Sequence, residues 1–222
     1  ITRAKAIDDN FFSAELSTIV ENSFNIHQEG SRLVFREEEN PQAKLIANAR
    51  NDKLFGDTPD KLNDRLQLAR EVRYVLAGTE SVAKAFRVVV LGANWTADPW
   101  ARLDEVDLAA QWDDRIPLLV VPEPPDNVDA RLGTWLKERL QTRRNAVRFL
   151  LPRDSSENLF YDRHLLVLAR AVLLADKWKP QNPEFKRLHQ RYERELRDLL
   201  KRRFDRFAIL ATWNFQNPSQ CT

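Results

Sequence analysis

Two short apolar runs constrain the fold of this chain more than any other feature. Phe86-Arg87-Val88-Val89-Val90-Leu91 is rich in β-branched residues and stops at Gly92. Pro117-Leu118-Leu119-Val120-Val121 is similar and is stopped by Pro122, Pro124 and Pro125. Runs this short, with little polar alternation, fit strands buried on both faces, as in a parallel sheet covered by helices. A third run, Ala146 to Leu151, follows, and residues 99–112 and 127–143 read as the intervening helices. The rhythm of strand, helix, strand, helix, strand predicts an α/β fold. Its sheet is mostly parallel, with about three to five strands and right-handed crossovers. Two long helices, 157–178 and 184–204, come next, separated by Pro180 and Pro183. A last apolar run, Phe207 to Trp213, fits a further strand of the sheet.

The start of the chain has a different texture. Phe11, Leu16, Ile19, Val20 and Phe24 lie near helical spacing over 11–24, with Asp8 or Asp9 as the cap. Gly30 and Ser31 mark a turn, and alternation through Leu33 and Phe35 predicts a short hairpin closed by Pro41. A helix followed by a hairpin resembles the back half of a winged helix; an ordinary hairpin edge is the alternative. Residues 42–57 read as a helical stretch ending at Gly56. Thr58-Pro59-Asp60 then reads as the N-cap and first turn of a helix reaching Ala77, with Leu62, Leu66, Ala69, Val72 and Leu76 as its apolar stripe. The expected organisation is a partial winged-helix-like element over 1–57 and an α/β domain over 58–222.

Composition narrows the class. With 43% apolar and 31% charged residues among 222, the chain holds enough apolar side chains for a core, and disorder is not expected. A net charge of +2 argues against a protein that coats nucleic acid, although local basic faces remain possible. The single cysteine, Cys221, excludes an internal disulfide and a zinc ribbon and suits a reducing cytosol. The longest apolar run, Leu165 to Ala175, is broken by Arg170 and covers about half of the ~20 residues a membrane span needs. A cytoplasmic protein with no membrane partner is expected. The absence of methionine and the start at Ile1 read as an internal piece of a longer protein.

No catalytic motif emerges. The five glycines, at 30, 56, 78, 92 and 133, are too far apart for a Walker loop or a dinucleotide fingerprint, both of which need clustered glycines for close backbone approach. His27, His164 and His189 are dispersed, with no carboxylate or cysteine at metal-ligand spacing, so no metal site is expected. Open α/β sheets bind ligands at the carboxyl ends of their strands. Asp98, Glu123, Arg153 and Asp154 fall at those ends and make a candidate small-ligand or phosphate site; loop polarity and helix capping are the plainer reading, particularly for Asp98 before Pro99.

Basic clustering offers a second site. Arg131 to Arg153 holds seven basic residues against one acid, Glu138. Arg32, Arg143, Arg144 and Arg148 are the candidate phosphate-backbone contacts for duplex DNA, with Arg143-Arg144 the sharpest because no acid adjoins them. Lys186 to Arg206 holds nine basic residues against four acids. There the pairs Glu193–Arg197 and Asp198–Arg202 also fit a solvated, salt-bridged helix face. Of six tryptophans, Trp95, Trp100 and Trp112 flank the carboxyl end of the sheet, where core or interface packing is favoured over stacking on a ligand.

The order of these segments carries a resemblance over residues 10–178. A helix and hairpin running into LVFREEENPQAKLIANARND, then RVVVL, IPLLVVPE and NAVRFLLPRD before a long apolar-basic helix, resembles the region that follows the ATPase core in large bacterial AAA+ ATPases linked to phage-exclusion and other defence islands. The resemblance implies a P-loop ATPase parent that binds ATP and Mg²⁺ outside this segment, which itself holds no cofactor. It also implies a winged-helix-like element and a role in nucleic-acid-linked phage defence, with the rest of the parent chain, duplex DNA or other defence-system subunits as partners. No catalytic position carries over, because the Walker residues are absent here.

Overall fold

The computed structural model describes residues 9–37, 39–93, 95, 115–123, 133–134, 147–153 and 156–209. It is a mixed α/β structure: a four-stranded, mostly parallel sheet flanked by helices, and a separate antiparallel hairpin after an N-terminal helix. Two compact units share the chain. One takes the described residues up to Asp64 together with Val167–Glu193, and the other takes Arg65–Leu166 with those from Arg194 on.

In the first unit, helix α1 (Asp9–Asn22) leads to strands β1 (Ile26–Glu29) and β2 (Arg32–Phe35), paired antiparallel with Glu29 opposite Arg32. Gly30 turns the hairpin with φ +61, a left-handed conformation that glycine adopts without a Cβ penalty. Helix α2 (Pro41–Ala49) starts where Asn40, in an extended conformation, accepts a bond from Gln42 N and Pro41 supplies a preset φ. Its buried face, Ala43, Leu45, Ile46 and Ala49, belongs to a core that also holds Phe55, Leu168, Ala171, Val172, Leu174, Ala175, Phe185 and Leu188. Those last residues come from helices α5 (Arg163–Trp178) and α6 (Glu184–Arg203). Trp178 meets Phe185 edge-on at 5.3 Å.

Several helix boundaries differ from expectation: α1 ends at Asn22 and not at 24, and α5 starts at Arg163 and not at 157, where Asn158 and Asp162 hold a turn ahead of it. The helical stretch over 42–57 ends at Ala49. Asn51 is extended and its side chain accepts from Lys53 N, which starts a 3-10 turn at Asp52–Leu54 instead. Thr58 does not cap a helix either: α3 spans Asp64–Leu76. Leu62 N bonds Leu54 O and Gly56 N bonds Leu62 O, so Phe55 and Leu62 form a bridge and Thr58–Lys61 becomes the turn between them. Thr58 still bonds Asp60, and that bond holds the Asp60 carboxyl below its usual 3.8. Of the expected stripe, Ala69 and Val72 are buried, but Leu66 is exposed and Leu68 is buried in its place.

The second unit holds α3 beyond Asp64, a short helix α4 (Glu80–Ala85) capped by Thr79, and the sheet. Strands β3 (Phe86–Val90), β4 (Ile116–Val120) and β5 (Arg148–Pro152) lie in that order, parallel. Val88 lies opposite Leu118 and Leu118 opposite Arg148, a constant offset of 30 residues along the chain. Burial deepens toward the carboxyl ends, with Val90, Leu91, Val120, Val121, Phe149 and Leu151 fully enclosed, as two-sided cover of a parallel sheet requires. Strand β6 (Phe204–Ile209) completes the other edge, antiparallel to β5, with a register shift at Leu151/Pro152. It begins a few residues before the apolar run at 207–213, because α6 ends directly at Arg203. The expected helix at 99–112 lies outside the described residues. So does that at 127–143 apart from the helical Gly133 and Thr134, and the hand of the crossovers lies outside with them.

Candidate functional site

At the carboxyl end of the sheet, one side chain organises the loops. Asn158 is 8% exposed. Its Nδ2 donates to Ala93 O, just past β3, at 3.2 Å, and to Glu123 Oε2, just past β4, at 3.0 Å. Its Oδ1 accepts from Phe160 N at 3.0 Å, and the neighbouring Leu159 N donates to Pro122 O at 2.8 Å. Residues 158–160 thus strap two strand ends together, with Leu159 and Phe160 buried beneath. Trp95 is buried as well, in a turn closed by its own N–H to Gly92 O, which fits packing and not ring stacking.

Of the four strand-end residues picked out by position, two are described. Glu123 is the half-buried acceptor of Asn158. Arg153 is exposed and its Nε donates to Asp205 Oδ2 at 3.1 Å, while its backbone N–H donates to Arg203 O. Asp98 and Asp154 lie outside the described residues. Each described member is therefore engaged by a residue that position along the chain does not reveal: Asn158, 35 residues after Glu123, and Asp205, 52 after Arg153. Arg203 nearby has an 8% exposed side chain whose Nη1 donates to Asp162 Oδ2 at 2.9 Å and whose Nη2 donates to Glu157 O. Burial pulls the guanidinium below its ordinary pKa, and Asp162 then Glu157 offset part of that. Asp162 also caps α5 through His164 N and Leu165 N, so the cluster joins a helix start to a strand start.

Asn158→Leu is expected to lower unfolding free energy by about 2 kcal/mol, because the Glu123 carboxylate and the Ala93 carbonyl lose their donor. Hydrogen exchange at Leu159 and Phe160 amides should quicken ahead of exchange in β4. Unchanged exchange at both would show that the strap rests on burial of Leu159 and Phe160 alone.

The candidate nucleic-acid residues are spread over both units. Arg32 is exposed on β2. Arg148 is half-buried at the start of β5, with Nη1 near Val147 O. Arg143 and Arg144 lie outside the described residues. Within the basic helix α6, Arg197 is drawn inward: its Nε meets Glu71 Oε2 at 2.7 Å and its guanidinium lies 3.7 Å from the centre of the Tyr74 ring. Arg202 Nε donates to the Asp198 backbone carbonyl, and Lys201 pairs with Asp198. Bonds within the chain therefore engage part of this helix's charge, with Arg197 turned to Glu71 of α3 and Arg202 to a backbone carbonyl.

Sequence reading did not single out the surface of the first unit. Phe12 on α1 is 51% exposed, Ile19 43%, and Phe35 on β2 78%; Phe24 and Leu33 are exposed too. Leu33 and Phe35 are two apart on a strand and share one face. Comparison with protein-family models, with curated proteins and with solved structures gives no match. Among the described residues, no group of three or more His, Cys, Asp or Glu side chains is placed to hold a metal ion. Nor, among the described residues, is any helix long and apolar enough to cross a membrane.

Proposed function

We propose that this chain is a non-catalytic accessory region of a larger P-loop, AAA+-like ATPase of anti-phage defence, and that it holds a partner subunit or the rest of its parent chain. The observation that carries the docking part is the apolar face of the hairpin, where Leu33 and the 78% exposed Phe35 stand side by side in water. Large apolar groups clustered on a monomer surface mark interaction sites, and aromatic anchors supply much of the energy at such sites. The described strand-end groups are engaged within the chain, Glu123 with Asn158 and Arg153 with Asp205, which favours docking over small-ligand chemistry. The ATPase parentage rests on the order of segments set out above, and ATP and Mg²⁺ would bind elsewhere in the parent.

In the full-length ATPase, Phe35→Asp should reduce co-elution of the partner subunit by about tenfold or more, with ATP binding unchanged. Undiminished co-elution would overturn the docking role, and an open reading frame lacking GxxxxGK[ST] throughout would overturn the ATPase parentage. Duplex DNA is the second reading, favoured by Arg32, exposed on the same hairpin. It requires binding that weakens steeply across a salt series and that Arg32→Ala weakens equally for all sequences; no binding at low salt removes it.

A further inference from the structure

We propose that helix α1 is the seat for a basic amphipathic helix of the partner protein. The inference rests on the docking reading above and names the chemistry of the partner. Phe12, Leu16, Ile19 and Val20 fall at i, i+4, i+7 and i+8, a spacing that gathers them on one face of a helix. That stripe is covered only in part. Val20 is buried and Leu16 half-buried, while Ile19 and Phe12 stand open. Within its unit α1 packs against α2 and β1, and Asn40 holds its last turn through Val20 O. A 14-residue helix with half of its apolar stripe in water has little to stabilise its first turns, because isolated helices of this length are marginal.

Charge selects the occupant. Helix α1 contains three acids, Asp9, Glu15 and Glu21, and no Lys, Arg or His. Residues 9–40 hold seven acids and two bases, Arg32 and Arg36, in a chain whose net charge is +2. Arg36 is already paired with Glu29. Glu15 lies three residues after Phe12 and four before Ile19, the two spacings that place side chains side by side on a helix, and it is exposed there. A second copy of α1 would bring like charge to like, and α1 itself, without a single base, offers nucleic acid or an anionic bilayer no cation, the DNA reading resting on Arg32 of the hairpin instead. A helix with its own apolar stripe flanked by Lys and Arg matches both the exposed side chains and the field around them.

The test uses the 222-residue chain and three labelled peptides of about five helical turns. One is an amphipathic Leu/Lys sequence, one its Leu/Glu counterpart, and one the Leu/Lys composition scrambled to destroy the stripe. In fluorescence anisotropy the amphipathic Leu/Lys peptide should bind about tenfold or more tightly than either of the others. Phe12→Ser with Ile19→Ser should weaken it by a similar factor. Glu15→Lys, a change at an exposed position that leaves the packing alone, should weaken the basic peptide and strengthen the acidic one. Equal binding of the scrambled peptide overturns the proposal, as does displacement of the peptide by duplex DNA. A concentration-dependent dimer that the Phe12/Ile19 variant abolishes would assign the stripe to a second copy and overturn it too. Loss of the partner subunit with Phe35→Asp but not with the α1 variants would sink this inference while leaving the docking role intact, and retention in both would sink the two together.

Discussion

Replacing Asn40 by Ala is expected to lower unfolding free energy by about 3 kcal/mol, a large effect for one small side chain, because it combines a lost helix cap with stranded carbonyls. Asn40 is 5% exposed. Its Nδ2 donates to Val20 O at 3.0 Å and to Ile26 O at 2.6 Å, with Ser23 O at 3.4 Å, while its Oδ1 caps α2 at Gln42 N. Its own N–H donates to Phe24 O. One residue therefore ties the end of α1, the entry to β1 and the start of α2. Asn40→Asp separates the contributions, since it keeps the capping acceptor but turns the donor toward carbonyls into another acceptor. It should cost as much as the alanine change or more. Urea unfolding followed by circular dichroism measures both, and an Asp variant as stable as the wild type would show that the donor bonds carry no weight.

The second large effect is expected at Arg170→Met, a loss of about 3–5 kcal/mol, the usual result of removing one member of a buried ion pair. Arg170 Nε meets Asp64 Oδ2 at 2.6 Å, with both side chains largely buried, and Nη1 reaches Asp52 Oδ1 at 2.5 Å. The guanidinium also lies 4.7 Å from the centre of the Phe55 ring. Burial alone would lower its pKa, but the hydrogen bonds it donates to Asp64 and Asp52 outweigh burial and raise it, so the cation persists at every working pH. Methionine fills the space but offers Asp64 no donor in place of the guanidinium. Adding Asp64→Leu should recover much of the loss, because an apolar pair of similar volume is often neutral in such a position. A double-mutant cycle reads the coupling directly. A single variant within about 1 kcal/mol of wild type would mean that Asp64 finds water or another donor instead.

Arg170 also shows where sequence reading stops. Its place in the run Leu165 to Ala175 served only to break a candidate membrane span; its partners, 106 and 118 residues earlier, are invisible to any local pattern. The strands were legible because short β-branched runs have one economical placement, between two covering layers, and the three runs fall within two residues of β3, β4 and β5. The turn at Gly30 was legible because left-handed backbone favours glycine. The start of α3 was not, since Thr58-Pro59-Asp60 has good capping chemistry locally and a non-local bridge between Phe55 and Leu62 overrides it. Helical spacing located α1, but Phe24 falls beyond its end at Asn22, and spacing says nothing of what covers a face, so the exposure of Ile19 was not legible. At the strand ends, position on an α/β sheet located Glu123 and Arg153, while the residues that engage them, Asn158 and Asp205, carry no distinguishing signal.

The placement of β6 bears on how the protein is made. Strand β5 ends at Pro152 and its antiparallel neighbour begins at Phe204, so 51 residues must be synthesised before that side of the sheet can close. At roughly 5–20 residues per second, the nascent chain spends about 3–10 s with β5 as an uncapped hydrogen-bonding rim. The rim carries Phe149, Leu150 and Leu151, a run that would template pairing with another emerging chain. Ribosomal stalling within α6 would prolong that interval, and truncated products ending there should aggregate where the full chain does not.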